Sequence, residues 1–234
     1  MTMQIIEFQQ PIMFHTTLNP YLWNGQELRN PVRVKLLEIA KNFIEFLKVE
    51  SIPLRDIIIT GSQCNWTYTP HSDLDLHIIV DMKQVYNGSA LVEQFFDSKR
   101  RLWNKTYDPL IHDIPVEIYV EDDDEHVEGN AFSLLTDEWL TQKPLSQTEY
   151  NDRSVRAKFN SITRGIERSL ARADHPEDMS RIMRKLKAYR QSGLDQHGEY
   201  STENLVFKAL RNAGWLDRIN KQQVSLTNKV LSLD

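Results

Sequence analysis

Two short apolar runs constrain the fold of this chain more than any other part of its sequence. They lie at the two ends of the segment IIITGSQCNWTYTPHSDLDLHIIVD, residues 57–81. Both runs are rich in isoleucine and valine and have the length of a buried strand. Gly61 and Ser62 follow the first run, whereas Asp73 and Asp75 stand at the start of the second. We therefore predict two strands whose ends carry polar residues.

The alternation of side chains along a strand places the two aspartates on the same face. Asp73, Asp75 and His77 point to one side of the second strand, and its leucines point to the other. Two adjacent carboxylates repel each other unless a divalent cation neutralises both. Because Mg²⁺ prefers oxygen ligands, we predict that both aspartates bind Mg²⁺ and that His77 lies below the site as a hydrogen-bonding residue.

A third carboxylate lies on the polar face of a later strand. The segment IPVEIYV, residues 114–120, alternates between apolar residues on one face and Glu117 with Tyr119 on the other. A strand next to the aspartates brings Glu117 into a three-acid cluster, which is typical of two-metal phosphoryl chemistry. Asp113 and Asp122 are the alternatives to Glu117 as the third acid.

The Gly61-Ser62 pair has two interpretations. A glycine lets the backbone approach an anion closely, and a serine hydroxyl with backbone N–H groups holds phosphate oxygens. The alternative is an ordinary turn followed by an exposed strand start. In the loop that follows, Trp66, Tyr68 and His71 either stack on a nucleotide base or pack the loop.

The remaining segments predict an α+β chain with a helical C-terminal part. Asn30 is predicted to cap a helix that ends near Glu50, and a second helix is expected from about Ala90 to Trp103. Beyond residue 130 the periodicity predicts helices at about 131–141, 149–173, 177–192, 202–213 and 215–231. We expect two domains: residues 1–128 with the sheet and an N-terminal helix, and residues 129–234, which are helical and basic.

Charge is distributed unevenly between the two parts of the chain. Residues 150–234 contain 16 Lys and Arg against 10 Asp and Glu, whereas residues 1–149 contain 12 against 23. This asymmetry suggests that the first part supplies metal ligands and the second meets phosphates. Two groups of polar residues in the second part are either solvated helix faces or ligand contacts. They are the stripe Asn204, Lys208 and Arg211, which would reach a triphosphate, and the cluster Arg181, Arg184, Lys185, Lys187 and Arg190, which would contact RNA.

The cysteine content and the hydropathy pattern point to a reducing compartment. Cys64 is the only cysteine of the 234-residue chain, so no disulfide forms within it. The sequence contains neither a signal-peptide pattern nor a run of about 20 apolar residues. We therefore expect a cytoplasmic protein with no membrane segment.

Taken in order, these motifs resemble the signature of the polymerase-beta-type nucleotidyltransferase superfamily. The resemblance consists of Gly61-Ser62, then Asp73-Leu74-Asp75-Leu76, then Glu117 within PVEIYV, and it covers about residues 55–120. The flanking segments LNPYLWNGQELRNPVRVKLLEIA and GEYSTENLVFKALRNAGWLD look similar to uncharacterised predicted nucleotidyltransferases of large tailed phages.

The resemblance implies a nucleotidyltransferase-type mixed sheet with flanking helices and a role for each motif residue. Asp73 and Asp75 would bridge two Mg²⁺ ions, with Mn²⁺ as a possible substitute, and Glu117 would complete the metal on the acceptor side. Gly61 and Ser62 would hold the β- and γ-phosphates. Three further residues are expected to bind the nucleotide, namely Ser72, Lys208 and Arg211.

The sequence thus predicts an enzyme that transfers a nucleoside monophosphate from an NTP, expected to be ATP, with release of pyrophosphate. The acceptor stays open among RNA, a nucleotide, a protein hydroxyl and a small molecule, because the motif specifies only the donor half of the reaction. The alternative is a catalytically inactive module of the same fold that binds a nucleotide or RNA.

Overall fold

The structure is a computed structural model that describes residues 7–49, 51–85, 90–124, 129–143 and 150–233. The chain folds into two units, each with a hydrophobic core of its own. One is Met13–Ser146, which we call the sheet unit. The other joins Met1–Ile12 to Gln147–Asp234 and is called the helical unit. The sheet unit therefore extends beyond the boundary expected at residue 128, and the roles assigned to the two domains stay predictions.

The sheet unit contains a mixed sheet of six strands among the residues that the structure describes. A short hairpin of β1 (Trp23–Asn24) and β2 (Glu27–Leu28) precedes α1 (Asn30–Leu47). The sheet strands follow as β3 (Leu54–Thr60), β4 (Leu74–Val80), β5 (Leu110–Ile111), β6 (Ile114–Asp122), β7 (Ala131–Ser133) and β8 (Glu138–Thr141), with α2 (Ala90–Thr106) between β4 and β5. Their order is β5-β6-β4-β3-β7-β8. Among the described strands, β4 and β6 pair in parallel, and the other neighbours pair antiparallel.

Strand alternation gives the central strands one apolar face and one polar face. The apolar face belongs to a single buried cluster with residues of α1 and α2, including Leu76, Ile78, Ile118, Phe43 and Phe96. The opposite face takes the polar residues of β4 and β6. The two strands predicted at the ends of residues 57–81 are confirmed as β3 and β4, the strand predicted at 114–120 as β6, and the helix from Ala90 as α2.

The helical unit consists of four helices within its described residues. These are α3 (Asp152–Arg172), α4 (Pro176–His197), α5 (Thr202–Asn212) and α6 (Trp215–Leu231), and all four are confirmed predictions. Ser201 caps α5 by accepting a hydrogen bond from the backbone N–H of Asn204. No helix among the described residues is long and apolar enough to cross a membrane.

Two local predictions are wrong. Residues 131–141 form β7 and β8 instead of a helix, because β7 pairs with the open edge of β3 and Asp137 turns the chain with a φ of +63°. Trp139 then stacks on Trp23, with ring centroids 4.8 Å apart, and its Nε1 donates to the carbonyl oxygen of Gln26. Asn30 is the first residue of α1, while Arg29 holds the capping position without a side-chain hydrogen bond.

Candidate metal centre

Strand register brings three carboxylates together at one end of the sheet. In the parallel pair of β4 and β6, Asp75 lies opposite Glu117, and Asp73 immediately precedes β4. Each of the three offers an oxygen, and these oxygens all lie within 4.8 Å of one another. All three side chains are half-buried. The predicted set of acids is therefore assembled within one unit.

Gly61 closes one side of this cluster. The antiparallel pairing of β3 and β4 places Thr60 opposite Asp75, and Gly61 follows with a φ of +77°. A Cβ atom at position 61 would overlap Oδ2 of Asp75. The position therefore needs glycine for two reasons: its left-handed backbone and its contact with a carboxylate of the cluster.

Ser62 begins a short 3₁₀ turn that ends at Cys64. The turn is closed by hydrogen bonds from the Cys64 N–H to the Gly61 carbonyl oxygen, at 3.2 Å, and from the Asn65 N–H to the Ser62 carbonyl oxygen, at 3.1 Å. The Ser62 side chain is half-buried. Ser62 thus follows Gly61 directly after β3, where the sequence predicts phosphate binding.

Tyr119 fixes the carboxylate of Glu117. Its hydroxyl donates a hydrogen bond of 2.6 Å to Oε2 of Glu117, two residues earlier on β6. Burial raises the pKa of the Tyr119 hydroxyl well above its usual range, and the hydrogen bond to Glu117 and the nearby carboxylate charges raise it further. The Tyr119 ring stacks on His77 at 4.8 Å and lies 5.1 Å from the guanidinium of Arg100. Strand alternation placed Tyr119 on the face of Glu117, but nothing in the sequence indicated the hydrogen bond.

His77 is not a member of the acid cluster. It lies two residues after Asp75 on β4, on the same face, and opposite Tyr119 of β6. Its Nδ1 is 2.9 Å from Oε1 of Glu121. His77 thus contacts Glu121 outside the acid cluster, and the hydrogen-bonding role expected of it stays a prediction.

The alternatives to Glu117 as the third acid lie elsewhere. Asp113 is exposed in the turn between β5 and β6, where its φ is +65°. Asp122 is the last residue of β6, beyond Glu117 along the strand, and its Oδ1 accepts a hydrogen bond from the Met82 N–H. Among the described acids, Glu117 is therefore the one that joins Asp73 and Asp75.

The loop between the two motifs is held by its own contacts. The Ser72 hydroxyl is buried and accepts a hydrogen bond of 2.9 Å from the Thr69 N–H, which supports a structural role for Ser72. Trp66 belongs to the core of the sheet unit. Tyr68 stacks on His15, with ring centroids 3.8 Å apart. These contacts favour loop packing over base stacking for Trp66 and Tyr68, and nucleotide binding by Ser72 stays a prediction.

Lys208 and Arg211 lie on α5 in the helical unit. The Lys208 ammonium forms an ion pair with Glu199 at 3.1 Å, and Arg211 is exposed. Asn204, the first residue of the predicted stripe, is buried and accepts a hydrogen bond from Nε of Arg190. Asn204 is thus a structural residue, while the nucleotide contacts expected of Lys208 and Arg211 stay predictions.

Comparisons with known proteins give little beyond this geometry. No protein-family model matches the chain, and no curated protein does. A solved structure, the STING-associated CdnE c-di-GMP synthase from Capnocytophaga granulosa, aligns over 87% of this chain and 83% of its own. Its sequence identity is 13% and its TM-score is 0.23, values at which the alignment carries no argument about fold or function. The resemblance to phage proteins stays a prediction.

Proposed function

We propose that this chain is a divalent-metal-dependent nucleotidyltransferase. It would transfer a nucleoside monophosphate from an NTP, with ATP as the expected donor, to an acceptor and release pyrophosphate. The observation that carries the proposal is the convergence of Asp73, Asp75 and Glu117 within 4.8 Å, beside the Gly61-Ser62 turn at a strand end.

The donor set of the cluster fits Mg²⁺ or Mn²⁺. Three carboxylates supply only hard oxygen ligands, and Mg²⁺ typically binds one or two of these together with substrate phosphates. At 4.8 Å two carboxylates repel each other by about 3 kcal/mol at an effective dielectric constant of about 20. A bound cation removes this repulsion. When bound, such cations would supply charge neutralisation for the triphosphate and a lowered pKa for the acceptor hydroxyl.

The protein's own residues would position the reacting groups. Ser62 and the backbone at Gly61 would hold the β- and γ-phosphates, so that the α-phosphorus faces the acceptor in line. The acceptor oxygen would form a bond to the α-phosphorus while the bond to the bridging oxygen breaks and pyrophosphate leaves. The Tyr119 hydroxyl donates a hydrogen bond to Oε2 of Glu117. Oε1 of Glu117 would then accept the proton of the acceptor hydroxyl or bind a cation.

The direct test is pyrophosphate release from each NTP in the presence of Mg²⁺, with fractions of a cell extract as acceptors. Labelling with α-³²P-NTPs then reports whether the label enters RNA, protein or a small molecule. We expect release with wild type and none with Asp73→Asn/Asp75→Asn. Asp113→Asn is the matched control, because it removes an exposed acid of the β5–β6 turn that lies outside the cluster.

Glu117→Gln separates catalysis from binding. It should abolish transfer while metal-dependent NTP binding persists, because Asp73 and Asp75 still hold a cation with the triphosphate. If wild type and the double aspartate variant are equally inactive with every acceptor and bind NTP without metal, the chain is instead an inactive nucleotide-binding module.

A further inference from the structure

A groove in the helical unit lies where α3 ends and α4 begins. Its volume is about 500 Å³. Among the described residues that line it, four are cations, Arg168, Arg172, Arg181 and Lys185, and one is an acid, Asp178. All four cationic side chains are exposed. The groove therefore presents a net positive charge to solvent.

Internal ion pairs leave most of this charge uncompensated. Among the residues that the structure describes, Arg168, Arg172 and Lys185 have no acidic partner, and Arg181 is 3.8 Å from Asp178. Clustered cations favour an anionic ligand. Three of the four are arginines, whose planar guanidinium groups bind phosphate through two parallel hydrogen bonds. Phosphate is thus the chemistry that the groove fits.

The positive surface continues beyond the groove. Arg164, Arg168 and Arg172 recur every four residues along α3, which is a rise of about 6 Å per step. A neighbouring depression is lined by Arg164 and Arg168 around the acid Glu167, and another by Arg168 and Arg218 with the same acid. A row of cations longer than the groove itself favours a polymer with repeated phosphates over a single nucleotide.

The floor of the groove contains a glycine without a packing role. Gly165 lies within α3, and a Cβ added there would meet no atom within 4 Å. Glycine lowers helix stability, and no neighbour in the described structure requires its small size. Bare backbone at this point lets a ligand approach closely, and Ser169 and Ala173 also line the groove.

None of the described residues that line the groove is aromatic, so an unpaired base has no ring there on which to stack. Recognition through phosphates alone is typical of paired strands, whose bases are stacked inside the helix. We propose that this groove binds the phosphodiester backbone of a duplex nucleic acid without reading its sequence. The proposal is independent of the acid cluster and of the transfer reaction.

The test is fluorescence anisotropy of a labelled mixed-sequence RNA duplex of about two helical turns, titrated with the full chain at several salt concentrations. Arg172→Glu/Lys185→Glu should weaken binding at least about tenfold. The slope of log affinity against log salt concentration should become shallower by about 2, which corresponds to the loss of about two phosphate contacts. Arg153→Glu/Lys158→Glu is the matched control. It reverses the same residue types at exposed positions of α3, outside the groove and outside the basic cluster of α4.

Gly165→Gln fills the floor without changing the charge. It should weaken duplex binding at least about tenfold, while the melting temperature stays equal or rises because glutamine is the better helix former. Three results with the duplex would each overturn the proposal: no binding at low salt, an equal loss of affinity in the control variant, or wild-type affinity in Gly165→Gln. A fourth would be that single-stranded RNA or ATP binds with the same affinity as the duplex and is weakened by the same variants.

Discussion

Gly61 and Gly25 both adopt a left-handed backbone, with φ values of +77° and +63°, but only Gly61 touches the acid cluster. Gly61→Ala adds a Cβ that overlaps Oδ2 of Asp75 and displaces this carboxylate. We expect it to weaken Mn²⁺ binding at least about tenfold. Gly25→Ala has open space around its Cβ and should cost only backbone strain, about 1 kcal/mol. Calorimetric titration with Mn²⁺ checks both variants, and equal affinity in the two would contradict the prediction.

Tyr119 acts on the site through Glu117. Tyr119→Phe removes the hydroxyl that holds Oε2 of Glu117 and should lower metal affinity or transfer rate by about tenfold, with little change in the fold. Tyr107→Phe is the control, because Tyr107 is exposed and its ring packs against Trp103 and Phe46 away from the cluster. A Tyr119→Phe variant that matches wild type in both measurements would remove the positioning role.

Cys64 gives the stability of the sheet unit a defined pH dependence. Burial raises the pKa of the Cys64 thiol well above its usual value, and the charge of Asp75 adds to this effect. As pH rises above about 8.5, the unfolded chain releases a thiol proton that the folded chain retains, so the free energy of unfolding falls. From about pH 8.5 to about pH 9.5 we expect wild type to lose about 1 kcal/mol more than Cys64→Ala. Urea unfolding at the two pH values measures this difference, and parallel losses would contradict it.

At the scale of elements, α2 completes the outer edge of β6. The pairing of β5 with β6 ends at Pro115, and the Asn104 side chain then bonds both backbone groups of Ile118. Its Oδ1 accepts from the Ile118 N–H at 3.1 Å, and its Nδ2 donates to the Ile118 carbonyl oxygen at 3.0 Å. This clamp holds β6 between Glu117 and Tyr119.

Asn104→Ala should destabilise the chain by about 2 kcal/mol, because it leaves two backbone groups of a buried residue without partners. Asn42→Ala is the matched control, since the Asn42 side chain donates to the Glu38 carbonyl oxygen on the exposed surface of α1 and its loss should cost less than about 1 kcal/mol. Denaturant unfolding compares the two, and hydrogen exchange at Ile118 locates the effect. A cost for Asn104→Ala no greater than that of the control would show that the clamp contributes nothing.

At the scale of the whole molecule, the first described residues pack with residues from the C-terminal part of the chain. Phe8 packs edge-on against Phe159 at 5.1 Å, and the Asn212 side chain donates to the Gln10 carbonyl oxygen. Ile12 is 3% exposed in the core of the helical unit. The N-terminal segment is thus part of a core built mostly from residues after 150.

Ile12→Ala should therefore lower the stability of the helical unit by about 2–4 kcal/mol and leave the protection of β3 and β4 unchanged. Ile111→Ala, at a buried isoleucine of the sheet unit, should give the opposite pattern. Hydrogen exchange with mass spectrometry resolves the two units. Loss of protection in β3 and β4 upon Ile12→Ala would contradict the assignment of the N-terminal segment.

The sequence by itself determined the features that depend on local geometry. Side-chain alternation placed Asp75 and Glu117 on the polar faces of their strands, and helical periodicity with the Ser201 cap located the C-terminal helices. Strand alternation and helical periodicity depend on residues that are close in sequence, so they can be predicted without knowing which elements pack against each other.

Tertiary structure decided which strands pair and in what register. The parallel pairing of β4 with β6 selected Glu117 over Asp113 and Asp122, and the open edge of β3 turned residues 131–141 into strands. Tertiary structure also packs Ile12 into a core built mostly from residues distant in sequence. It brings the Tyr119 hydroxyl within hydrogen-bond distance of Glu117. Each of these outcomes depends on backbone and side-chain groups that satisfy each other only when the chain is folded, which local propensity does not encode.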